Sequence, residues 1–200
     1  MPTPWRSIIL LGLPGTGKST LARALAALPD FVHFDAGHTL RSTAPDSPVG
    51  RLVHPLLEQG SLVPDDLVVR VWQENIQSRI DRAHFDPDRQ TLLLDGLPRT
   101  PAQARLMRDA TTVLRAIYLA CDDESILIHR LLHRGHQQGR PDDADEPRIR
   151  ERLNLHRREV LPLLDLDPDN VSRLNACRPA LDVLIDAAIA ARTAIAHPLS

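Results

Sequence analysis

The apolar run Ile8-Ile9-Leu10-Leu11 breaks off at Gly12, and a glycine-rich turn then leads through Lys18-Ser19-Thr20 into an apolar, helix-forming segment. Strand, tight loop and helix follow one another without a spare residue. Within this stretch Gly12, Gly17, Lys18 and Ser19 stand in the G-x-x-x-x-G-K-[ST] spacing of a phosphate-binding loop, or P-loop. Each residue type has a physical task. Glycines let backbone N–H groups converge on an anion with no Cβ in the way. The helix N-terminus adds unpaired donors and the positive end of its dipole. Lys18 can reach the terminal phosphates, and the Ser19 hydroxyl can ligate Mg²⁺. An ordinary strand–turn–helix corner would match the four residue types by chance in roughly one chain of this length in a hundred. The motif therefore points to a nucleoside triphosphate site and leaves the reaction open.

Further along, the alternation repeats. Phe31-Val32-His33-Phe34 reads as a short strand, and Thr91-Leu92-Leu93-Leu94-Asp95 as a buried one, a continuous apolar run of the kind parallel sheets require. Residues 113–120 and Val171-Ser172-Arg173-Leu174 supply two more. Helix patterns fill the intervals: 35–41 behind an Asp35 N-cap, 50–59 stopped by Gly60, 64–83 opened by Pro64-Asp65-Asp66, and a short one opened by Thr100-Pro101-Ala102-Gln103. Three more cover 122–133, 148–164 and the alanine-rich 179–197. Residues 42–48 read as a loop, and the polar, glycine-containing 135–145 as a mobile one. The expected fold class is α/β: a P-loop NTPase-type three-layer α/β/α sandwich, with a five-stranded parallel sheet covered by helices on both faces. Ligands of such sheets bind at the carboxyl ends of the strands. The chemistry is thus expected just after Leu11, Phe34, Asp95, Ala120 and Leu174.

Composition narrows the partners. Two hundred residues, 42% hydrophobic, can bury one good core, and a net charge of −2 gives no reason to expect a nucleic-acid or membrane surface as partner. No secretory signal is expected at the start, and no apolar run approaches the ~20 residues that cross a bilayer. Cys121 and Cys177 lie far apart in sequence and form no CxxC pair, so reduced, buried thiols and a cytoplasmic setting are expected. The nine histidines show no metal-ligand spacing and read as surface or packing residues.

Beside the P-loop, Asp95 ends an apolar strand where an acid can hold the waters around Mg²⁺, the alternative being a strand-end cap. Arginines stand after strand ends and around the polar loop: Arg41, Arg99, Arg130, Arg134, Arg140 and Arg152. Charges on helices are usually a solvated face, which suits Arg148 and Arg150. Arg99 is different, because it follows Asp95-Gly96-Leu97-Pro98 at a strand end. Phosphoryl transfer needs many fixed positive charges, and Arg binds phosphate bidentately. With no guanine-specifying N-K-x-D, the pattern favours a small kinase over a GTPase.

Along almost its whole length the chain resembles the adenylate kinase family of nucleoside monophosphate kinases. The resemblance rests on the loop Gly12-Leu13-Pro14-Gly15-Thr16-Gly17-Lys18-Ser19-Thr20, on Ala36-Gly37-His38-Thr39-Leu40-Arg41 and on Glu58-Gln59-Gly60-Ser61-Leu62-Val63-Pro64. It rests further on Asp95-Gly96-Leu97-Pro98-Arg99 with Gln103, on Arg130, Arg134 and Gly139-Arg140-Pro141-Asp142-Asp143, and on Arg152-Leu153 and Asn175-Ala176-Cys177-Arg178-Pro179. It implies one P-loop kinase domain over 1–200, with a core of 1–35, 71–133 and 146–200, a monophosphate-binding excursion 36–70 and a short lid 134–145. Pro14, Gly15, Thr16, Gly17, Lys18, Ser19 and Thr20, with Arg130, Arg134 and Arg178, would hold ATP. Ala36, Arg41, Ser61, Leu62, Val63, Gly96, Leu97, Pro98, Arg99 and Gln103, with Arg140 and Arg152, would hold the monophosphate. Lys18, Arg99, Arg134, Arg140 and Arg152 would serve catalysis, and Ser19 and Asp95 would hold Mg²⁺, largely through water.

The implied reaction is direct transfer of the ATP γ-phosphoryl to AMP, giving two ADP, by a cytoplasmic monomer with no nucleic-acid or membrane partner. Ala36 looks like the UMP/CMP kinases, so a UMP/CMP or deoxynucleotide kinase stays open, while Gln103 suits adenine or serves as a helix cap. His38 stands where the family usually has Asp, which keeps a catalytically weak nucleotide-binding regulator open as well. Residues 135–143 contain no Cys, so a zinc-bearing lid is not expected.

Overall fold

A computed structural model describes residues 4–59, 61 and 63–197. In chain order the elements are β1 (Trp5–Gly12), α1 (Lys18–Leu25), β2 (Phe31–Asp35), α2 (Ala36–Arg41), α3 (Pro48–Glu58), α4 (Asp65–Asp81), β3 (Thr91–Asp95), α5 (Pro101–Met107), β4 (Thr111–Ala120), α6 (Glu124–Gln138), α7 (Glu146–Leu164), β5 (Val171–Asn175) and α8 (Ala180–Ala196). The five strands form one parallel sheet in the order β2-β3-β1-β4-β5. Its central strand β1 is therefore the one that feeds the phosphate loop.

Alternate residues of the buried strands serve opposite faces, as the twofold period of a strand requires. Ile8 and Leu10 of β1, with Leu93 and Ile117, pack against Leu21, Ala22 and Leu25 of α1 and the small side chains Ala187, Ala191 and Ala194 of α8. Ile9 and Leu11, with Leu92, Leu94 and Phe34, pack on the other face against Trp72 and Ile76 of α4, Met107 of α5 and Val160 of α7. Leu127, Ile128 and Leu131 of α6 and Ile149 and Leu153 of α7 make a third cluster that includes Leu13 of the phosphate loop.

Several boundaries move by a residue or two from the sequence pattern, and two of the shifts have a clear local cause. Helix α3 starts at Pro48, not residue 50: Ser47 caps it by accepting from the Gly50 N–H at 2.9 Å, and proline at the first helical position loses no hydrogen bond. The second correction concerns 135–145, expected to be a loop throughout. Helix α6 continues to Gln138, and the left-handed Gly139, φ 59°, ends it. A 3-10 turn, Pro141–Asp143, follows at once. Gly135 sits inside the helix because a Cβ there would lie 2.4 Å from the Asp143 carbonyl oxygen. Gly60 and Leu62, expected to stop α3 and to line the acceptor site, lie outside the described residues.

Candidate active site

The phosphate loop is shaped by two glycines. Gly12 has φ 142°, and a Cβ on it would meet the Leu119 carbonyl oxygen of β4 at 2.7 Å, so the loop turns tightly against its neighbouring strand. Gly17, at φ 95°, is the N-cap of α1 and contributes no side-chain cap, which leaves the first N–H groups of that helix free to meet an anion. Thr16 is buried and its Oγ1 donates to Leu13 O at 2.8 Å, closing the loop on itself. Lys18 Nζ donates to Gly12 O at 2.7 Å and Leu13 O at 2.9 Å. Burial pushes the Lys18 ammonium down to about 8, with Asp95 opposing and Arg99, Arg152 and Arg134 adding to the effect.

Ser19 Oγ donates to Asp95 Oδ2 at 2.5 Å, linking the first turn of α1 to the end of β3. Burial works against ionisation of Asp95, yet the nearby His33 imidazole, the Lys18 ammonium and the Ser19 hydroxyl outweigh it and hold the carboxyl below its ordinary value. Asp35 ends β2 directly opposite Asp95 in the sheet register and also caps α2, accepting from the His38 N–H at 2.8 Å. His33 Nε2 stands 3.6 Å from Asp95 Oδ2, an electrostatic neighbour beyond hydrogen-bond length. The hydroxyl and carboxylate oxygens gathered here are hard donors of the type Mg²⁺ takes, directly or through water.

Above the loop lies a cleft of about 730 Å³, lined by Pro14, Gly15, Thr16, Gly17, Lys18, Ser19, Thr20, Asp95, Gly96, Pro98, Arg99, Arg130, Arg134, Arg140, Arg152 and Arg178. A smaller chamber of about 40 Å³ adjoins it, lined by Ala36, Arg41, Ser61, Val63, Gly96, Arg99, Gln103 and Arg152. Gly37, Arg41, Gly96, Arg99, Arg152 and His156 line both, so three guanidinium groups stand on the seam between the two spaces. Burial and the adjacent Arg140 push Arg41 down to about 10, still cationic at neutral pH. Arg99 is half-buried and donates through Nε to Gly96 O at 3.1 Å.

Several of these arginines already have carboxylate partners. Asp143, 1% exposed, takes Arg134 at 2.6 Å and Arg152 at 2.6 Å, and Asp142 takes Arg152 at 2.8 Å. Arg178 pairs with Asp186 at 2.6 Å, while Arg130 donates to Ala176 O at 3.2 Å.

One expected ligand is not in the site: Leu97 is fully buried in the core cluster and lines neither space, because the chain directs Gly96 and Pro98 toward the cleft and Leu97 into the core. Gln103 is 3% exposed, with both ends of its amide engaged. Its Oε1 accepts from the Arg99 N–H at 2.7 Å and its Nε2 donates to Asp65 Oδ1 at 2.7 Å, while Thr100 Oγ1 accepts from the Gln103 N–H and donates to Asp65 Oδ2 at 2.9 Å. The amide keeps one N–H for a ligand.

His156, read from the sequence with the other histidines as a surface or packing residue, lines both spaces. Its Nδ1 lies 2.9 Å from Arg152 O, and a carbonyl only accepts, so Nδ1 carries the proton and Nε2 is free to accept. Burial, then Arg99, Arg152 and Lys18, hold its pKa well below the usual histidine value, so it is neutral at physiological pH. Its position four residues after Arg152, on the same helix face, was the available signal.

A parallel sheet with the phosphate loop on its central strand, and an arginine-lined double cleft over the strand ends, defines a P-loop phosphotransferase. The chain belongs to the adenylate kinase family: the family model "Adenylate kinase" matches residues 10–169. It is similar to the adenylate kinase of Thermus thermophilus, 36% identical over 164 residues that cover 80% of this chain and 81% of the relative. It is likewise similar to that of Synechococcus sp., 34% identical over 180 residues covering 86% and 89%, and to that of Flavobacterium psychrophilum, 34% identical over 170 residues covering 82% and 85%. Among the described residues no helix is long and apolar enough to cross a membrane.

Proposed function

We propose that this chain transfers the γ-phosphoryl group of ATP to AMP, giving two ADP. The observation that carries the reading is the seam: Arg41, Arg99 and Arg152 line both the P-loop cleft and the adjoining chamber. A phosphoryl group passing from one space to the other stays within a field of fixed positive charge. The acceptor is itself an anion, so no general base is needed, and catalysis rests on positioning and charge stabilisation. Lys18, Arg134 and the loop amides hold the donor phosphates, with Arg130 and Arg178 at the adenine end. Arg41 and Arg99 hold the acceptor phosphate, and Arg140 and Arg152 serve the transferring group. Ser19 and Asp95 would hold Mg²⁺, largely through water, and the ion would supply charge neutralisation to the donor phosphates.

In this reading 36–70 grips the acceptor and 134–145 closes over the donor, while 1–35, 71–133 and 146–200 stay as the frame. The chamber's 40 Å³ holds no more than a few waters, so the acceptor enters as the excursion opens. Membership of the adenylate kinase family favours a monomer, and the substrates suit a cytoplasmic enzyme. A coupled assay of ADP formation from ATP against AMP, CMP, UMP and deoxynucleotides tests the reading. Turnover fastest with AMP supports it. A preference for CMP or UMP would assign the acceptor role to the Ala36 pocket type instead, and ATP binding without turnover would leave a nucleotide-binding regulator.

A further inference from the structure

Cys121 and Cys177, separated by 56 positions in sequence, meet in the fold. Cys121 follows the last residue of β4, and Cys177 stands two residues beyond β5. These strands are parallel neighbours whose final paired residues are Ala120 and Asn175, and the pairing continues through Ala176 N–H to Ala120 O at 2.7 Å. The two sulfurs, both on free and partly exposed cysteines, lie 2.6 Å apart. Each residue is also fixed locally: the Cys177 N–H donates to Asn175 Oδ1 at 2.8 Å, and Cys121 Sγ donates to Asp123 O at 3.3 Å. Neither thiol lines the cleft, and nothing in phosphoryl transfer uses them.

We propose that Cys121 and Cys177 form a reversible intramolecular disulfide that fastens the turn between β5 and α8 to the end of β4. The oxidant is a small-molecule disulfide such as oxidised glutathione. Burial and the neighbouring sulfur push Cys121 up to about 11, so it does not make the first attack. Cys177 gives up its proton and its thiolate attacks one glutathione sulfur, forming a mixed disulfide while the other glutathione leaves as a thiolate and takes a proton. Cys121 then loses its proton and attacks the Cys177 sulfur, expelling the second glutathione, which is protonated in turn. Two protein thiols are oxidised and one glutathione disulfide is reduced to two thiols.

The turn so fastened carries Ala176 and Arg178, both on the rim of the donor cleft. Ala176 O also receives Arg130, whose guanidinium donates to Gly15 O of the phosphate loop at 3.4 Å. The bond therefore stiffens the turn that carries Arg178, which on the proposed function is the adenine end of the cleft, and reaches the phosphate loop only through Arg130.

The test equilibrates the purified, reduced chain with mixtures of oxidised and reduced glutathione, followed by thiol titration, intact mass and thermal unfolding. The expected result is loss of both thiols, a mass lower by about 2 Da and no retained glutathione, with Tm raised by about 5–15 °C and restored by dithiothreitol. In Cys121→Ser, turnover stays at the wild-type level and one glutathione remains on Cys177, because the resolving thiol is gone. Wild-type chains that keep glutathione, crosslink only between molecules, stay reduced, or unfold at lower temperature once oxidised would each overturn the proposal.

Discussion

Replacing Gln103 by alanine separates two roles that one side chain can combine. The side chain is nearly inaccessible and ties three segments together: the Arg99 N–H at 2.7 Å, Asp65 Oδ1 at the start of α4 at 2.7 Å, and its own helix α5. Truncation leaves the Arg99 N–H without its acceptor and removes a donor from the Asp65 carboxylate, which keeps Thr100. A neutral hydrogen bond of this kind is worth about 1 kcal/mol and one to a charged group about 2, so Gln103→Ala costs about 3 kcal/mol. For a chain of this size that is a fall in Tm of about 6–12 °C. Because the lost acceptor holds the backbone of Arg99, and Gln103 lines the smaller chamber, KM for AMP should rise while KM for ATP stays put. Urea and thermal unfolding alongside steady-state kinetics read both effects. A Tm within about 2 °C of wild type would refute the network. A lowered Tm with an unchanged KM for AMP would leave Gln103 a structural cap alone.

Lys18→Met and Arg99→Ala should each lower the turnover rate by several orders of magnitude while circular dichroism shows the fold intact; near-normal turnover in either would sink the assigned roles. Asp143→Ala leaves two arginines without their buried carboxylate, and with Arg134 partly exposed the cost sits at the low end of the range for a broken buried pair, about 3 kcal/mol. Its Tm should fall by about 6–12 °C, and an unchanged value would refute the anchoring of the turn after α6. Lys18, pushed down to about 8, should regain its proton beside a triphosphate, so ATP binding just above pH 8 takes up a proton and weakens as pH rises. Calorimetry in two buffers of different ionisation enthalpy detects the uptake, which Lys18→Met abolishes. In the ligand-free chain the unfolded state binds more protons between about 8 and 10.5, so this residue makes stability rise with pH across that window. A comparison with Lys18→Met by urea unfolding checks the sign.

Local chemistry was readable from the sequence wherever it was decided locally. The apolar runs of β1 and β3 announced buried parallel strands, and Asp35 and Thr100 announced the helix starts they cap. Glycine misled once, at Gly135, where α6 runs on because the 3-10 turn packs too closely for a Cβ; Gly139 is the true stop. Long-range register was not readable. Nothing in the local pattern tied Asp65 to Gln103, 38 positions on, or brought Cys121 to Cys177. The family resemblance put Leu97 in the acceptor pocket, but its two neighbours line the cleft and it lies in the core.

The carboxylates of Asp142 and Asp143 have a meaning beyond anchoring. In the ligand-free molecule Arg134 and Arg152 are not waiting for an anion; they share Asp143, and Arg152 holds Asp142 as well. Binding is then an exchange of counter-ions, and a newcomer succeeds by outbidding an intramolecular carboxylate at high effective concentration. A single inorganic phosphate on the loop amides and Lys18 would leave those pairs in place. A polyphosphate long enough to span the loop, Lys18 and the arginines together is the ligand that would exchange them, so the pairs grade anions by reach.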